Sequence, residues 1–243
     1  GGRLELGVGK GISPAEHTLW GKDPETARER FEEAFEILRT GLADATFSYS
    51  GDNHEFDKIS VPHRPLQEPR PAFWYPGNVD YAGKHRLNTI TAGPPEAVKN
   101  AMAHFHAQLL KPEADWNPGV REPVIGVTLH VYLASSTKAA IARVHQAYPA
   151  YHRNLVTLFK RYDIPFTDPS LGGNTELALT LGVLVAAAPE DAIAQIEHLI
   201  DETGIEYLTL SFAWGDLTHQ ETMDSIRLFA EEVMPHFNRS EPP

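Results

Sequence analysis

Short apolar segments alternate with amphipathic segments along most of the chain, and this alternation constrains the fold more than any other feature. Strands are predicted over residues 4–8, 72–75, 87–91, 124–133 and 207–212, each followed by a predicted helix. A strand–helix–strand connection joins parallel strands, so this order predicts an α/β fold with a parallel sheet. The strands are apolar on both sides, as in sheets that helices cover on both faces.

An open doubly wound sheet and a (β/α)8 barrel both fit this order, and the turns decide between them. Glycine lies in three of the turns that follow strands: Gly9-Lys10-Gly11, Pro76-Gly77-Asn78 and Trp214-Gly215-Asp216. In a barrel these turns line one rim, where active sites form. We therefore predict a fold of the (β/α)8 TIM-barrel type, incomplete in this sequence, with five of the eight strands, strands 4–8. A single domain is expected over residues 1–237, with a disordered tail over residues 238–243.

The composition excludes several classes of function. The net charge is −12, and nucleic acids and anionic membrane surfaces are bound by surfaces of the opposite sign. The chain has no cysteine, so disulfides and thiolate chemistry are excluded. No apolar run is long enough to span a membrane, and residues 1–3 do not read as a signal peptide. We expect a cytoplasmic protein.

Two of the turns have the residues of an anion site. Lys10 lies between Gly9 and Gly11 at the end of a strand, where its charge and the backbone amides can contact a phosphate. Gly77, Asn78 and Val79 begin a short predicted helix, whose first amides attract anions. Both patterns are also common in ordinary solvated or capped turns.

Aromatic residues at strand ends are the candidates for the wall of a pocket. Trp74, Tyr75 and Trp214 can stack on a flat ring, although aromatic residues in parallel strands more often belong to the core. Trp214 is the best of the three, because Gly215 beside it allows close approach. Other polar patterns have simpler explanations: Glu29, Glu32, Glu33 and Glu36 are expected to form a solvated helix face, and residues 163–174 a mobile loop.

Several segments together resemble the luciferase-like flavin-dependent monooxygenases, a bacterial family that includes bacterial luciferase. "LELGVGKGISPAEHTLWG" resembles the family's fourth strand with its Gly-x-Arg/Lys-Gly turn, and "DPETARERFEEAFEIL" resembles the helix after it. "FSYSGDNHEFDKISVPHRPLQEPRPAFWYPGN" resembles the family's excursion into strand five, and "GIEYLTLSFAWGDLTHQETMDSIRLFAEEVMPHF" its last strand and closing helix. The resemblance extends over about residues 3–237.

The resemblance assigns roles to individual residues. It implies that Lys10 contacts the flavin phosphate, where the family often has arginine, and that the backbone of Ile12 approaches the flavin ring. Glu16 matches an acidic position that influences flavin binding. Asn78 stands where the family often has a phosphate-binding Ser or Thr. Family members are longer, so the resemblance also implies that the first three strands are absent from this chain.

The implied function is a flavin-dependent monooxygenase that uses reduced FMN and O2 to oxidise a small organic substrate. A flavin reductase is the implied partner, and a homodimer the implied state of the full-length protein. Two alternatives stay open: hydride transfer with the deazaflavin F420, and a non-catalytic flavin-binding or structural remnant. A metal-dependent hydrolase, suggested by the 12 histidines, is disfavoured, because only His130 lies within a predicted strand and it is not at the strand end. The substrate and the catalytic residues stay unknown.

Overall fold

Strands and helices alternate along most of the chain. The computed structural model describes residues 1–11, 13–164 and 168–237. The elements are, in chain order, β1 (Glu5–Gly7), α1 (Pro14–Leu19), a 3₁₀ turn (Pro24–Thr26), α2 (Ala27–Ala43), β2 (Thr46–Ser50), β3 (Glu55–Ser60), β4 (Ala72–Trp74), α3 (Val79–Lys84), β5 (Thr89–Thr91), α4 (Pro95–Leu109), β6 (Ile125–Leu133), α5 (Thr137–Arg161), a 3₁₀ turn (Leu171–Gly173), α6 (Thr175–Thr180), β7 (Leu184–Ala187), α7 (Pro189–Thr203), β8 (Leu208–Ser211), α8 (His219–Leu228), a π-helical turn (Phe229–Val233) and α9 (Met234–Phe237). The predicted α/β class is confirmed.

The described chain divides into two compact units. The first comprises Gly1–Ile90 and Met102–Ile125, and the second comprises Thr91–Ala101 and the residues from Gly126 onward. The single domain expected over residues 1–237 stays a prediction. The expected tail, residues 238–243, lies outside the described residues. Among the helices that the structure describes, none has both the length and the hydropathy needed to cross a bilayer.

In the first unit, a parallel pair of strands lies against α2. β1 and β4 align Leu6 with Phe73 and Gly7 with Trp74. The rings of Phe35 and Phe73 pack edge to face with their centroids 4.9 Å apart. Side chains alternate across a strand, so Phe73 and Leu6 lie on the face that α2 covers, and Trp74 lies on the opposite face.

In the second unit, β6 is the central strand of a parallel sheet. Its residues Val127–His130 pair with β8, and its residues His130–Leu133 pair with β7. Side chains from β6, β7, α5 and α6 form a buried cluster, together with Trp214 beyond β8. The residues at its centre are Tyr132, Val144, Tyr148, Leu184 and Trp214.

The expected count of five strands is wrong. The apolar run from Leu177 to Ala187, ambiguous between helix and strand, is divided between α6 and the additional parallel strand β7. A hairpin around residues 50–53 is present as β2 and β3, which pair in antiparallel fashion. The described strands outside the hairpin are therefore β1 and β4–β8, and the hairpin lies between β1 and β4 along the chain.

Two expected helix boundaries are also wrong, because tertiary contacts override local signals. The sequence predicts that α2 stops at Thr40-Gly41, yet it continues to Ala43. The Arg64 guanidinium donates hydrogen bonds to the terminal carbonyls of Gly41 (3.3 Å), Ala43 and Asp44 (2.6 Å), which compensates for the glycine. Similarly, a break is expected at Pro149, but α5 runs through it.

Other helix limits differ by smaller amounts. α5 is preceded by Ser136 instead of the expected Ser135, and the hydroxyl of Ser136 accepts a hydrogen bond from the amide of Ala139 (3.3 Å). α1 is not predicted at all, although Ser13-Pro14 is a typical helix start. The closing helix begins at His219, where Thr218 and Glu221 form a reciprocal capping box.

The close approach of the Ala147 backbone requires a glycine at position 215, and a substitution there tests this requirement. A Cβ atom there would lie 2.1 Å from the carbonyl oxygen of Ala147, at a φ of +65°. We expect Gly215→Ala to lower the free energy of unfolding by about 3 kcal/mol or more. Gly182→Ala is the matched control, because its φ of +69° is similar and its Cβ position is open; we expect about 1 kcal/mol there. Urea unfolding measures both variants. An equal loss of unfolding free energy in Gly215→Ala and Gly182→Ala would contradict the packing explanation.

A charged network joins α5 to the start of α8. Arg143 Nε donates to Glu221 Oε1 (2.5 Å) and Arg143 Nη1 to Asp216 Oδ1 (2.8 Å). The hydrogen bond from Arg143, together with those from the amide and the hydroxyl of Thr218, lowers the pKa of Glu221 to about 2.

The stabilisation from this network should therefore depend on pH. The pKa of Glu221 is lower in the folded than in the unfolded chain, so its contribution is present above about pH 4.5 and is lost as the pH falls toward 2. We expect Arg143→Met to reduce the free energy of unfolding by about 2 kcal/mol at pH 7 and by clearly less at pH 3. The control Arg227→Met breaks the exposed pair with Asp224, at a cost below about 0.5 kcal/mol. If Arg143→Met reduces the free energy of unfolding by the same amount at pH 7 and at pH 3, the pH dependence proposed for this network is wrong.

Candidate functional site

The two glycine turns of the first unit emerge at the same edge of a sheet. The amide of Val8 donates to the carbonyl oxygen of Trp74 (2.8 Å), which extends the parallel pairing of β1 and β4 to their carboxyl ends. Gly9-Lys10-Gly11 follows β1, and Tyr75-Pro76-Gly77 follows β4. Because parallel strands end at the same edge, the loops after β1 and β4 are neighbours there.

A cavity of about 590 Å³ adjoins the first turn, between α1 and α2. Three basic side chains line it, Lys10, Lys22 and Arg30, against a single carboxylate, Glu16. The remaining lining residues are Gly9, His17, Trp20, Ala27, Phe31 and Ala34. In a chain with a net charge of −12, this surplus of positive charge favours an anionic ligand.

The turn residues leave the backbone accessible. Gly11 has a φ of +87°, which L side chains rarely adopt, and a Cβ atom at Gly9 would meet no other heavy atom within 4 Å. Arg30 is held in place by hydrogen bonds to the Asp23 carbonyl oxygen (3.0 Å) and to Thr26 Oγ1. Ile12, which the resemblance places at the flavin ring, lies outside the described residues.

The second turn leads directly into α3. Gly77 has a φ of +95° and open space at its Cβ position. Asn78 is the N-cap: its Oδ1 accepts a hydrogen bond from the amide of Tyr81 (2.9 Å), and Val79 is the first helical residue. The side-chain oxygen of Asn78 is therefore used by the helix cap.

Two buried hydroxyl groups lie close to these turns in the sequence. Ser13 follows Gly11 by two residues, and Tyr81 lies in the first turn of α3. Their side chains are 2% and 6% exposed, and neither hydroxyl has a hydrogen-bond partner in the part of the chain that the structure describes. Burial raises the pKa of Tyr81, so its hydroxyl stays protonated and can donate. A buried hydroxyl without a partner is costly unless a ligand or water satisfies it.

The aromatic candidates occupy different environments. Tyr75 is buried between α2 and α3, with its ring 5.3 Å from that of Phe31 and 4.7 Å from that of Tyr81. Tyr75 thus contacts Phe31, which lines the basic cavity.

Trp214 and Gly215 belong to the second unit, and the structure gives each a packing role. The indole Nε1 of Trp214 donates to the carbonyl oxygen of Ser211 (3.1 Å), within the cluster around Tyr132. Gly215 lies directly against the backbone of Ala147. Their part in a cofactor site stays a prediction.

Sequence reasoning missed the role of Glu33, which does not belong to a solvated face. Its carboxylate is 9% exposed and accepts hydrogen bonds from Asn53 Nδ2 (2.6 Å), the amide of Asn53 (3.0 Å) and the amide of His54 (2.7 Å). These bonds, led by the one from the Asn53 side chain, lower the pKa of Glu33. Glu33 therefore fastens the β2–β3 turn to α2, a long-range contact for which the sequence has no signal.

Serine, histidine and aspartate meet in the second unit without forming a hydrolytic triad. Asp168 accepts hydrogen bonds from the amides of Ser170 (2.8 Å) and Gly172 (3.0 Å), and it lies 3.0 Å from Nδ1 of His152. Ser170 is fully buried and donates to the same carboxylate, so its hydroxyl is neither accessible nor activated. The described part of the segment predicted to be mobile, from Asp168 onward, is held to α5 by this carboxylate.

Among the described residues, no group of histidine, aspartate or glutamate side chains is arranged to hold a metal ion. His130 lies on β6 beside the rings of Tyr151 and Trp214, and burial lowers its pKa to about 4. It is therefore a neutral, core-facing side chain at neutral pH.

Comparison with known proteins settles the family. Residues 1–229 match the family model of the luciferase-like monooxygenases. The chain belongs to this family. Membership confirms the resemblance, the luciferase-like TIM-barrel fold type and the function class, a flavin-dependent monooxygenase enzyme.

Relatives of known sequence extend over nearly the whole chain. Protein y4wF of Sinorhizobium fredii is 26% identical over 96% of this chain and 68% of its own length. Limonene 1,2-monooxygenase of Rhodococcus erythropolis is 26% identical over 98% of this chain and 62% of its own length. The oxygenase component of the flavin-dependent trigonelline monooxygenase of Acinetobacter baylyi is 23% identical over 98% of this chain and 69% of its own length. The chain thus spans about two thirds of these relatives.

Solved structures share the fold. Monooxygenase RslO1 of Streptomyces bottropensis superposes with a TM-score of 0.79 at 21% identity, over 97% of this chain and 69% of its own. The oxygenating constituent of 3,6-diketocamphane monooxygenase of Pseudomonas putida, solved with FMN, has a TM-score of 0.68 at 16% identity, over 95% and 70%. An F420-dependent secondary alcohol dehydrogenase, solved with an F420–acetone adduct, has a TM-score of 0.67 at 19% identity, over 98% and 70%.

The cap at α3 yields a direct test of the second turn. We expect Asn78→Ala to lower the free energy of unfolding by about 1 kcal/mol, because the amide of Tyr81 loses its acceptor. Asn78→Asp keeps an acceptor oxygen at the same place and should stay within about 0.5 kcal/mol of the parent chain. Urea unfolding measures both, and a loss with aspartate as large as that with alanine would refute the capping role.

Proposed function

We propose that this chain binds FMN at the edge formed by the loops after β1 and β4, and that it uses reduced FMN and O2 to oxidise a small organic molecule. The observation that carries the proposal is the convergence of two glycine turns at adjacent strand ends beside a cavity with three basic side chains. The family supplies the reaction class, and these residues supply a site for an anionic cofactor.

The residues fit a phosphorylated cofactor. Lys10 provides a point charge for the phosphate, and Gly9, Gly11 and Gly77 let it approach backbone amides. Ser13 Oγ, two residues after Gly11, is a buried hydroxyl without a partner in the described residues, and a phosphate oxygen is an acceptor that can satisfy such a group. Val79 contributes its amide, and Glu16 limits the positive charge of the cavity.

Reduced flavin, when bound, supplies the electrons that activate O2, and the protein supplies binding, orientation and the exclusion of water. Tyr75 and Phe31 form an apolar wall behind the basic cavity. A role for Trp214 and Gly215 in contacting the cofactor or the substrate remains a separate prediction. Ile12, which follows Gly11 in the sequence, is a further candidate.

The partners follow from the reaction. Flavin must be reduced before each turnover, so we propose a separate flavin reductase as the electron source; the trigonelline relative is itself an oxygenase component. A homodimer of the full-length protein and a cytoplasmic location complete the proposal.

F420-dependent hydride transfer is the second candidate function. One observation favours it: an F420-dependent alcohol dehydrogenase superposes on 98% of this chain. A non-catalytic flavin-binding or structural remnant is the remaining alternative. The three hypotheses differ in which cofactor binds and whether substrate is turned over.

Cofactor titration tests the proposal. We expect FMN to bind saturably with quenching of its fluorescence, and Lys10→Ala to weaken binding about tenfold or more, because a phosphate loses its charged donor. Asn78→Asp should also weaken binding, through repulsion between the new carboxylate and the phosphate, without destabilising the fold.

The control and the alternatives are part of the same experiment. Lys138→Ala removes an equal charge from an exposed position on α5 and should leave FMN affinity unchanged. Saturable binding of F420 but not FMN would support hydride transfer instead. Binding of neither cofactor by a folded chain would leave the structural remnant as the better account.

A further inference from the structure

The cavity between α1 and α2 adjoins only the first of the two glycine turns. Gly9 and Lys10 of that turn line it, and no residue of the second turn, 77–79, is among its described lining residues. Its volume of about 590 Å³ lies in the range of pockets that enclose a whole small organic molecule, and a phosphate group alone would fill little of it. The cavity therefore has room for a ligand besides the phosphate that is proposed at Lys10.

Two cations of this cavity lie outside both turns. Lys22 follows α1, and Arg30 lies on α2. Within the part of the chain that the structure describes, neither of them forms an ion pair, and neither does Glu16, the carboxylate of the lining. With Lys10 assigned to the phosphate, Lys22 and Arg30 exceed Glu16 by one positive charge, which a monoanionic ligand would balance.

Arg30 keeps donors for such a ligand. Its Nη1 group donates to the carbonyl oxygen of Asp23 (3.0 Å) and to Thr26 Oγ1, and both of these acceptors are uncharged. Its Nε and Nη2 groups donate to no other described residue. A carboxylate binds such a pair of neighbouring N–H donors through both of its oxygens, so the guanidinium is fixed on one side and available on the other.

Trp20 adds an open aromatic ring to the same cavity. It follows α1 directly and is 82% exposed, whereas Trp74 and Trp214 are 8% and 7% exposed. Phe31, on α2, is a second aromatic residue of the lining. Large aromatic side chains gain from leaving water, and they stack on flat rings, so an exposed indole beside unpaired cations favours a ligand that is both planar and anionic.

We propose that this cavity is a second anion site, separate from the phosphate site, and that it binds a planar organic monocarboxylate. The carboxylate pairs with Arg30 and Lys22, and the flat body of the molecule rests on Trp20. The inference rests on the proposed function in one respect, the assignment of Lys10 to the cofactor phosphate. An organic acid is thus the class of small molecule that this chain holds beside its cofactor.

Indole NMR of the ¹⁵N-labelled full chain tests the site. The chain has four tryptophans, and Trp20→Phe identifies the Nε1–H signal of Trp20. We expect 2-naphthoate to shift that signal saturably, and 2-naphthamide, its neutral counterpart, to bind about tenfold more weakly or less, because it forms no charge-assisted pair. Equal binding of the two probes, or a Trp20 signal that 2-naphthoate leaves unmoved, overturns the proposal.

Substitutions locate the carboxylate of the probe. We expect Arg30→Gln to weaken 2-naphthoate binding about tenfold, and Lys22→Gln about threefold, because Lys22 is more exposed and its charge is more strongly screened. Arg30→Lys keeps the charge and should lose less affinity than Arg30→Gln. Arg153→Gln removes an exposed arginine from α5 and is the matched control, with unchanged affinity expected. Unchanged 2-naphthoate affinity in Arg30→Gln, in a chain that circular dichroism shows to be folded, overturns the proposal.

Titration in the presence of FMN separates this inference from the proposed function. At saturating FMN, 2-naphthoate affinity should stay within about threefold of its value without FMN, because the two anions occupy separate sites in screened surroundings. Lys10→Ala should weaken the binding of FMN alone, and Arg30→Gln that of 2-naphthoate alone. Displacement of 2-naphthoate by FMN overturns this inference and leaves the proposed function standing. Binding of 2-naphthoate at Trp20 by a chain that does not bind FMN overturns the proposed function and leaves this site standing.

Discussion

The parallel alignment of β1 with β4 is the constraint on which the candidate site depends. This alignment places Gly7 opposite Trp74. The hydrogen bond from the Val8 amide to the Trp74 carbonyl oxygen extends the parallel pairing to the ends of both strands. A slip of one residue would move Glu5 to the α2 face and Leu6 to the exposed face. The same register brings the loops after β1 and β4 to one edge, where both glycine turns can contact a single ligand.

Helix α2 maintains this arrangement from one side. Phe31 and Phe35 pack against Tyr75 and Phe73, so the strand pair has an apolar layer behind it. The same helix contributes Arg30 to the basic cavity and uses Glu33 to fasten the β2–β3 turn. Residues that pack against the strands and residues that line the cavity therefore alternate along one helix, and a change in its position would affect both.

The sequence predicts the parts of the molecule that local chemistry determines. The alternation of strands with helices and the start of α3 after Gly77-Asn78 follow from periodicity and capping, and both are confirmed. Lys10 and its flanking glycines also stand out locally, and the structure places them beside a cavity with two further cations. The family resemblance extends this local pattern to a reaction class, which the family match confirms.

What the sequence does not predict depends on contacts between distant residues. Arg64 extends α2 past Gly41, and packing around Tyr148 keeps α5 continuous through Pro149. The bond between Glu5 and Trp74 joins residues 69 positions apart, and nothing in either segment signals it. Periodicity and capping carry no information about such pairs, because they report only on neighbours along the chain.

Amide NMR of the isotopically labelled chain, recorded with and without FMN, tests the central claim most directly. The account predicts that the largest shifts occur at Gly9, Gly11 and Gly77, with no change at Asn53 and His54 in the hairpin turn. Saturable FMN binding that leaves those three glycine amides unshifted would contradict it, because the cofactor would then lie away from the edge that β1 and β4 form.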